Sequence, residues 1–522
     1  MKTKRYIALI LVVVMCITSL VGCGNKQEQG QTGVDPSQAN YAEHIDIIID
    51  NNPTSVLSPF SPASASPSNF WSLIMIFDRL VTMELKDGDF VFNPALATSW
   101  DTTDYQNFTF HLRDNVKFHN GEILKASDVV WTIEQAKAGA GSQANSLWSP
   151  VDTATAVDEK TVQIKLKNVD VDFILKISQP HCAIVNEKAM KEDPEKGVYV
   201  GTGAYAVKSF VSGDTTEYVR NEDYWGELPI TKSQTWRYIP EASARTIMLM
   251  NGEAQMCLRT PDEDMEMFKS DENFKVYSPI THNPNAMVFN MADPICGDYN
   301  FRMAVLHGMD KDLIALAASG ENAIPDHSGT MWGYDTEFRN KELSEIEYNP
   351  QLAKEFLAKS NYKGEPVELV CALASFVRAA PEIQQELADI GINIKIKQID
   401  NPAMGAYTMY GDNKSQIALV AITMTESASS FANAVLPGGS FNRASYNNPE
   451  VTEMLAQAAT TTDTAARKQL YYDIQAKVME NPPFTNLFNR ISAIVAAKGI
   501  DGVVIPATEC KDFRYMTWDL NK

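Results

Sequence analysis

Of the side chains able to do covalent or acid–base chemistry, none stands at the spacing that a common catalytic or metal site requires. No serine lies in a G-x-S-x-G elbow, no histidine pair in H-E-x-x-H, and no lysine in G-x-x-x-x-G-K-[ST]. The histidines, His44, His111, His119, His181, His282, His307 and His327, are scattered. No two stand at the i, i+3 or i, i+4 spacing that would let one helix face hold a metal ion. Gly201-Thr202-Gly203 lacks the third glycine of a dinucleotide-binding turn and reads as a bend between strands. Acidic residues abound, but sequence does not place two of them at the separation of a paired-carboxylate site, so a glycosidase pair stays open and unsupported. Past Cys16 and Cys23, the cysteines Cys182, Cys257, Cys296, Cys371 and Cys510 have no C-x-x-C pair and read as buried free thiols. No enzymatic chemistry, cofactor or metal ion is expected. Ser58 to Asn69 (SPFSPASASPSN) stands out for its composition. It is a Pro/Ser loop of about a dozen residues, a length that is often functional.

A chain of 522 residues predicts roughly three domains to position such a loop. Hydrophobic residues make up 44% and charged residues 21%, ordinary globular usage that excludes a disordered or polytopic membrane chain. The net charge of −21 argues against nucleic acid, whose phosphates call for a basic face. Lys2, Lys4 and Arg5 precede an apolar run from Tyr6 to Leu20, too short for the ~20 residues of a spanning helix. Leu20-Val21-Gly22-Cys23 then supplies the small residues of a signal-peptide cleavage site. An uncleaved N-terminal anchor with an incidental cysteine is the alternative. Gly24 to Asn40 is polar and aperiodic, a flexible tether.

The body mixes strands and helices without internal repeats. Ile45 to Ile49 is a strand. Phe108, Phe110 and Leu112 alternate with polar residues, as do Val162, Ile164 and Leu166. Ile383, Leu387 and Ile390 share a helix face that Gly391 can end at C′, and Ile392, Ile394 and Ile396 alternate directly after it. A helix feeding a strand marks an α/β unit. Asp463 can cap a helix bearing Ala466, Leu470, Ile474 and Val478, which Asn481-Pro482-Pro483 stops. Arg113, at a strand end, and Arg302, near a helix start, read by themselves as solvated positions.

Several segments in order resemble the solute-binding lipoproteins of ABC importers, in the branch that takes oligopeptides, dipeptides and nickel. Phe92 to Trp100 (FNPALATSW) is like "P-x-L-A-x-S-W". Phe108 to Gly121 (FTFHLRDNVKFHNG) is like "Y-T-F-x-L-R-x-x-V-K-F-H-D-G", and Ala126 to Val129 continues it. Gly201 to Tyr205, Asn221 to Trp225, Phe289-Asn290, Phe301 to Val305 with Met309 to Lys311, Gln385 to Ile392, and Arg467 to Tyr472 follow in family order. The N-terminal Leu20 to Cys23 resembles the lipobox, in which Cys23 carries the lipid.

The resemblance implies an α/β, two-lobed, periplasmic-binding-protein-like (Venus-flytrap) fold with an extra inserted subdomain. It implies a signal peptide over 1–22 and a lipid-anchored tether over 23–40. Lobe I would comprise 41–77, 196–282 and 489–522, with the subdomain 78–195 inserted in it, and lobe II would comprise 283–488. The chain would cross between lobes near Val276–Asn283 and Asn486–Arg490. The expected protein is a monomer on the extracytoplasmic face of the membrane, held there by Cys23. It captures a small molecule or peptide and hands it to the permease subunits of an ABC importer. An extracytoplasmic hydrolase and a peptide-sensing lipoprotein are the alternatives.

By family position, Ala63, Ser64, Ala65 and Ser66, with Asn69 nearby, would face the ligand, where a strand of peptide-binding relatives pairs with the peptide backbone. Ala421 to Ser430 (AITMTESASS) would face them, placing Ile422, Thr423, Met424 and Glu426 at the ligand. Phe441, Asn442 and Tyr446 would complete the wall. Peptide-binding relatives resemble "W-x-x-D" here, and that aspartate pairs with the peptide's α-ammonium. Without a gap, Ala421 takes the tryptophan position and Met424 the aspartate position; with a two-residue slip, Glu426 could supply the carboxylate.

Overall fold

A computed structural model of the protein describes residues 40–50, 57–61, 67–86, 89–139, 142–278, 284–328, 337–422, 428–439, 441–491, 493–504 and 512–522. The isoleucine run forms the strand His44–Ile49, parallel to both of its neighbours, Ser233–Tyr238 and Met256–Leu258. Burial on both faces explains why apolar residues run on without alternation. Ile47 and Ile49 enter one apolar cluster and Ile48 another, because successive side chains leave opposite faces of a strand. The full sheet has seven strands, in the order Phe274–Tyr277, Ile494–Ala497, Met256–Leu258, His44–Ile49, Ser233–Tyr238, Thr215–Arg220, Tyr205–Val211.

A second sheet has six strands, in the order Ala323–Pro325, Phe484–Arg490, Asn285–Phe289, Ile417–Ala421, Val367–Cys371, Ile394–Gln398. It too is covered on both faces: Met287 and Leu369 feed one cluster, Ala286, Val288 and Val370 the other. The helix Ala374–Asp389 leads into Ile394–Gln398 through Gly391 at φ +99°, the left-handed conformation the sequence assigned to it. The Asp463 side chain accepts from the Ala466 N–H at 2.8 Å and caps the helix Thr464–Met479.

A third, antiparallel sheet, Ala97–Asp101, Asn107–Leu112, Thr161–Leu166, Val151–Ala156, carries the two alternating runs. Its apolar cluster, with Phe108, Phe110, Val162 and Ile164, shares no residue with those of the six-stranded sheet. The chain leaves the seven-stranded sheet after Tyr277 and enters the six-stranded one at Asn285; it returns between Arg490 and Ile494. The strand runs through Arg490, so the return falls at 491–493, past the Asn486–Arg490 stretch expected from the family.

Three expectations need correction. The Pro/Ser run does not stay a loop to Asn69: a helix, Pro67–Ile76, begins inside it, with proline at its start where a missing N–H costs nothing. Arg302 is fully buried. Its Nε donates to Pro482 O at 2.9 Å and its Nη1 to Cys296 O at 2.8 Å, and its Nη2 donates to the Asn481 side chain. Arg113 is half-buried, its guanidinium 4.5 Å from the centre of the Trp225 ring and its Nε donating to Ala95 O at 3.1 Å.

Other recurrent segments prove structural as well. Asp78, 5% exposed, accepts from Thr202 Oγ1 at 2.9 Å and from Trp225 Nε1 at 2.8 Å. That one carboxylate ties the G-T-G bend to the Asn221–Trp225 segment. A Cβ on Gly201 would stand 2.0 Å from Ile76 O, so only glycine lets the bend lie against the end of that helix. Cys182, Cys257, Cys296 and Cys371 are free and buried. Burial pushes the Cys257 thiol up to about 11, which leaves it an inert core group. Cys510 and Cys23 lie outside the described residues.

Candidate functional site

In open α/β sheets, ligands bind beyond the carboxyl ends of the strands. Here those ends carry charge. Strand His44–Ile49 ends on Asp50, Met256–Leu258 on Arg259, and Phe484–Arg490 on Arg490 itself. Arg490 Nη2 lies 3.6 Å from Asp262 Oδ2, and Arg378 Nη2, from the helix Ala374–Asp389, lies 3.5 Å from the same oxygen. Arg259 Nη1 lies 4.0 Å from Asp50 Oδ2, and its guanidinium stands 6.0 Å from the centre of the buried Trp71 ring. Asn322 Nδ2 donates to Asp262 O at 3.3 Å.

Three arginines and two aspartates thus meet where the two large sheets approach each other. Burial pulls the Arg490 guanidinium below its ordinary pKa; Asp262 opposes that shift, and Arg259 and Arg378 add to it. Arg259 adopts φ +72°, a conformation that costs a side-chain-bearing residue energy and gathers at functional sites. Such convergent polar groups are of the kind that fix a solute's orientation in a binding cleft, and nothing in the cluster resembles a nucleophile–base pair. Among the described residues no group of His, Cys, Asp or Glu is disposed to hold a metal ion.

The residues expected at the ligand are divided by the structure. Asn69 lies on the helix Pro67–Ile76 two positions before Trp71 and is 1% exposed. Ile422 follows the strand Ile417–Ala421 at the end nearest the chain passages; it is 1% exposed, and its N–H donates to Pro284 O at 2.9 Å. Asn442 and Tyr446 lie at the opposite end of that sheet, where the Met291 N–H donates to Ala444 O at 2.8 Å. The Asn442 amide is used inside its own loop. It donates to Leu436 O and Tyr446 O, both at 2.8 Å, and accepts from the Tyr446 N–H at 3.0 Å. Tyr446 belongs to the apolar cluster against which the half-buried Phe441 packs. Cavities of about 370 and 330 Å³ adjoin Asn442 and Tyr446 at this far end. Ala63, Ser64, Ala65, Ser66, Thr423, Met424 and Glu426 lie outside the described residues.

Sequence reasoning missed Asp50, Arg259, Asp262, Arg378 and Arg490. For two of them a signal existed. Asp50 and Arg259 are charges set directly after apolar strand runs, where a strand end meets solvent or a ligand.

The model for bacterial extracellular solute-binding proteins, family 5 (middle region), matches residues 91–447. The chain belongs to that family. Family 5 proteins capture substrates for ABC transporters and are not enzymes. The chain is 28% identical over 446 residues to the glutathione-binding protein GsiB of Pectobacterium atrosepticum, covering 81% of this chain and 85% of that protein. It is 25% identical over 458 residues to the dipeptide-binding protein of Escherichia coli, covering 79% and 83%. The crystal structure of the ABC transporter substrate-binding protein CtaP from Listeria monocytogenes matches with a TM-score of 0.82 at 20% identity, over 92% of this chain and 100% of that one. That of NikA from Brucella suis matches with a TM-score of 0.80 at 21% identity, over 91% and 99%. These likenesses establish the two-lobed family 5 fold.

Proposed function

We propose that the protein is a lipid-anchored, extracytoplasmic receptor that captures an organic solute, of oligopeptide type or related to it, and delivers it to an ABC importer. In this reading lobe I is 41–77, 196–282 and 491–522 with the subdomain 78–195, and lobe II is 283–490, its end set two residues past 488 because the strand Phe484–Arg490 belongs to the six-stranded sheet; the lobes close by rotation about the two chain passages between the sheets. The observation that carries it is the meeting of Asp50, Arg259, Asp262, Arg378 and Arg490 at the strand ends between two separately cored bodies. Relatives named for glutathione and a dipeptide support organic solutes of that size. The mature chain incubated with peptide and glycan libraries should retain a solute unchanged, and small-angle scattering should give a smaller radius of gyration with that solute than without it. Turnover would favour the hydrolase alternative, and an unchanged radius at saturation would remove the closing motion.

Anchoring is a separate claim, supported by the basic n-region, the short apolar run and the Leu20-Val21-Gly22-Cys23 order. Cys23→Ala should abolish fatty-acid labelling and shift the protein from the membrane to the soluble fraction. Labelling equal to wild type would sink the assignment.

A further inference from the structure

We propose that Asp172 and Arg467 form a latch that holds the lobes closed, so that solute affinity is set partly by a contact the solute does not touch. The inference rests on the two-lobed capture reading above. Arg467 is on the helix Thr464–Met479, which packs on the six-stranded sheet. Its Nε donates to Ala458 O at 3.2 Å, and its guanidinium carbon stands 4.9 Å from the centre of the Phe338 ring and 5.5 Å from that of Tyr471. All three contacts come from Arg467's own body. They hold the guanidinium ready whether or not the other body is near.

Asp172 belongs to that other body. It follows the strand Thr161–Leu166 and precedes the helix Phe173–Ile177, whose N–H groups its side chain does not cap. Its carboxylate oxygen lies 2.6 Å from Arg467 Nη2. Asp172 is 7% exposed and Arg467 8%, so the pair is shielded from water and salt. Among the described residues, the core around Phe108 and Phe173 and the core around Tyr471 and Ile474 have no residue in common. Bodies with separate cores and a polar contact are free to move apart. The Asp262 cluster differs in kind. Arg490 directly precedes a chain passage, so rotation about that passage moves it little.

The energetic direction follows from burial. Apart, both charges are hydrated; together, each neutralises the other. If one partner is made neutral, closing must bury the remaining charge without the counter-charge of the other body, which is unfavourable. The closed fraction falls, and apparent affinity falls with it.

The experiment reads distances between the bodies in the full chain without solute. Spin labels are placed at Val157→Cys, 54% exposed just after the strand Val151–Ala156, and at the exposed Asp473→Cys, with Cys23 and Cys510 changed to serine. Wild type should show a short-distance population matching this structure. Asp172→Asn and Arg467→Gln should each reduce it roughly tenfold or more, and Asp172→Glu, which keeps the carboxylate, should restore most of it. Should Arg467→Gln fail to fold, Asp172→Asn still decides, because Asp172 is no part of that core. No short population in wild type, or the same population in every variant, overturns the latch. A library that yields no solute overturns the capture reading instead and leaves these distances as they are.

Discussion

Exchanging Arg302 for methionine should lower the unfolding free energy of the folded body by about 3 kcal/mol. The guanidinium is fully buried and reaches three acceptors: Pro482 O, Cys296 O and the Asn481 side chain. Methionine fills most of the volume but donates nothing, so those acceptors lose their partner, at about 1–3 kcal/mol for each one that water cannot reach. Part of this is offset because a buried guanidinium carries its own desolvation cost, which the variant no longer bears. Arg302 also joins the helix Tyr299–His307 to the Asn481–Pro482 turn that launches the strand Phe484–Arg490. Denaturant melts of Arg302→Met and Arg113→Ala test this directly. Arg113 stacks on Trp225 at a half-buried site, so its loss should cost about 1 kcal/mol or less. Equal losses for the two variants, or less than about 1 kcal/mol for Arg302→Met, would refute the assignment.

That contrast shows where the sequence was legible. Periodicity located the strand around Ile47, the alternating strands around Phe110 and Ile164, and the helix-to-strand unit turning at Gly391, because burial on one or both faces leaves a residue pattern. It could not tell a buried arginine from a solvated one. Arg302 and Arg113 have the same side chain, and their burial depends on residues about 180 and 110 positions away that supply a carbonyl or a ring. The G-T-G bend was legible as a bend, but its need for glycine comes from Ile76, far back in the chain. The site was less legible than the fold. Asp262 meets Arg378 and Arg490 only because two passages of the chain bring separate sheets together, and no local spacing encodes that meeting. Asn442 and Tyr446 are expected at a ligand wall by family position, while in space the Asn442 amide bonds to the Tyr446 backbone within a loop at the far end of the sheet.

The solute should not be a standard peptide held by its free α-ammonium. In the no-gap reading, the position where peptide-binding relatives resemble "W-x-x-D" is Met424, and the tryptophan position is Ala421. An ammonium buried against a thioether has no counter-charge, and an unpaired buried cation is among the costliest things a site can hold. The groups that converge at the strand ends do not replace the lost carboxylate. Asp50 faces Arg259 and Asp262 faces Arg378 and Arg490, so three cations already stand against two carboxylates there. A blocked or modified peptide, an oligosaccharide or another organic solute meets no such penalty. Titration calorimetry with one peptide mixture and its N-acetylated copy, on wild type and on Glu426→Gln, separates the cases. We expect the free and acetylated mixtures to bind alike, because a thioether at the aspartate position does not pair with an ammonium. Micromolar binding of free peptides, worth about −8.2 kcal/mol, that acetylation abolishes would refute this. If Glu426→Gln abolished that binding as well, the carboxylate two residues on would be the anchor, and the chain would read peptides through a slipped version of the family's site.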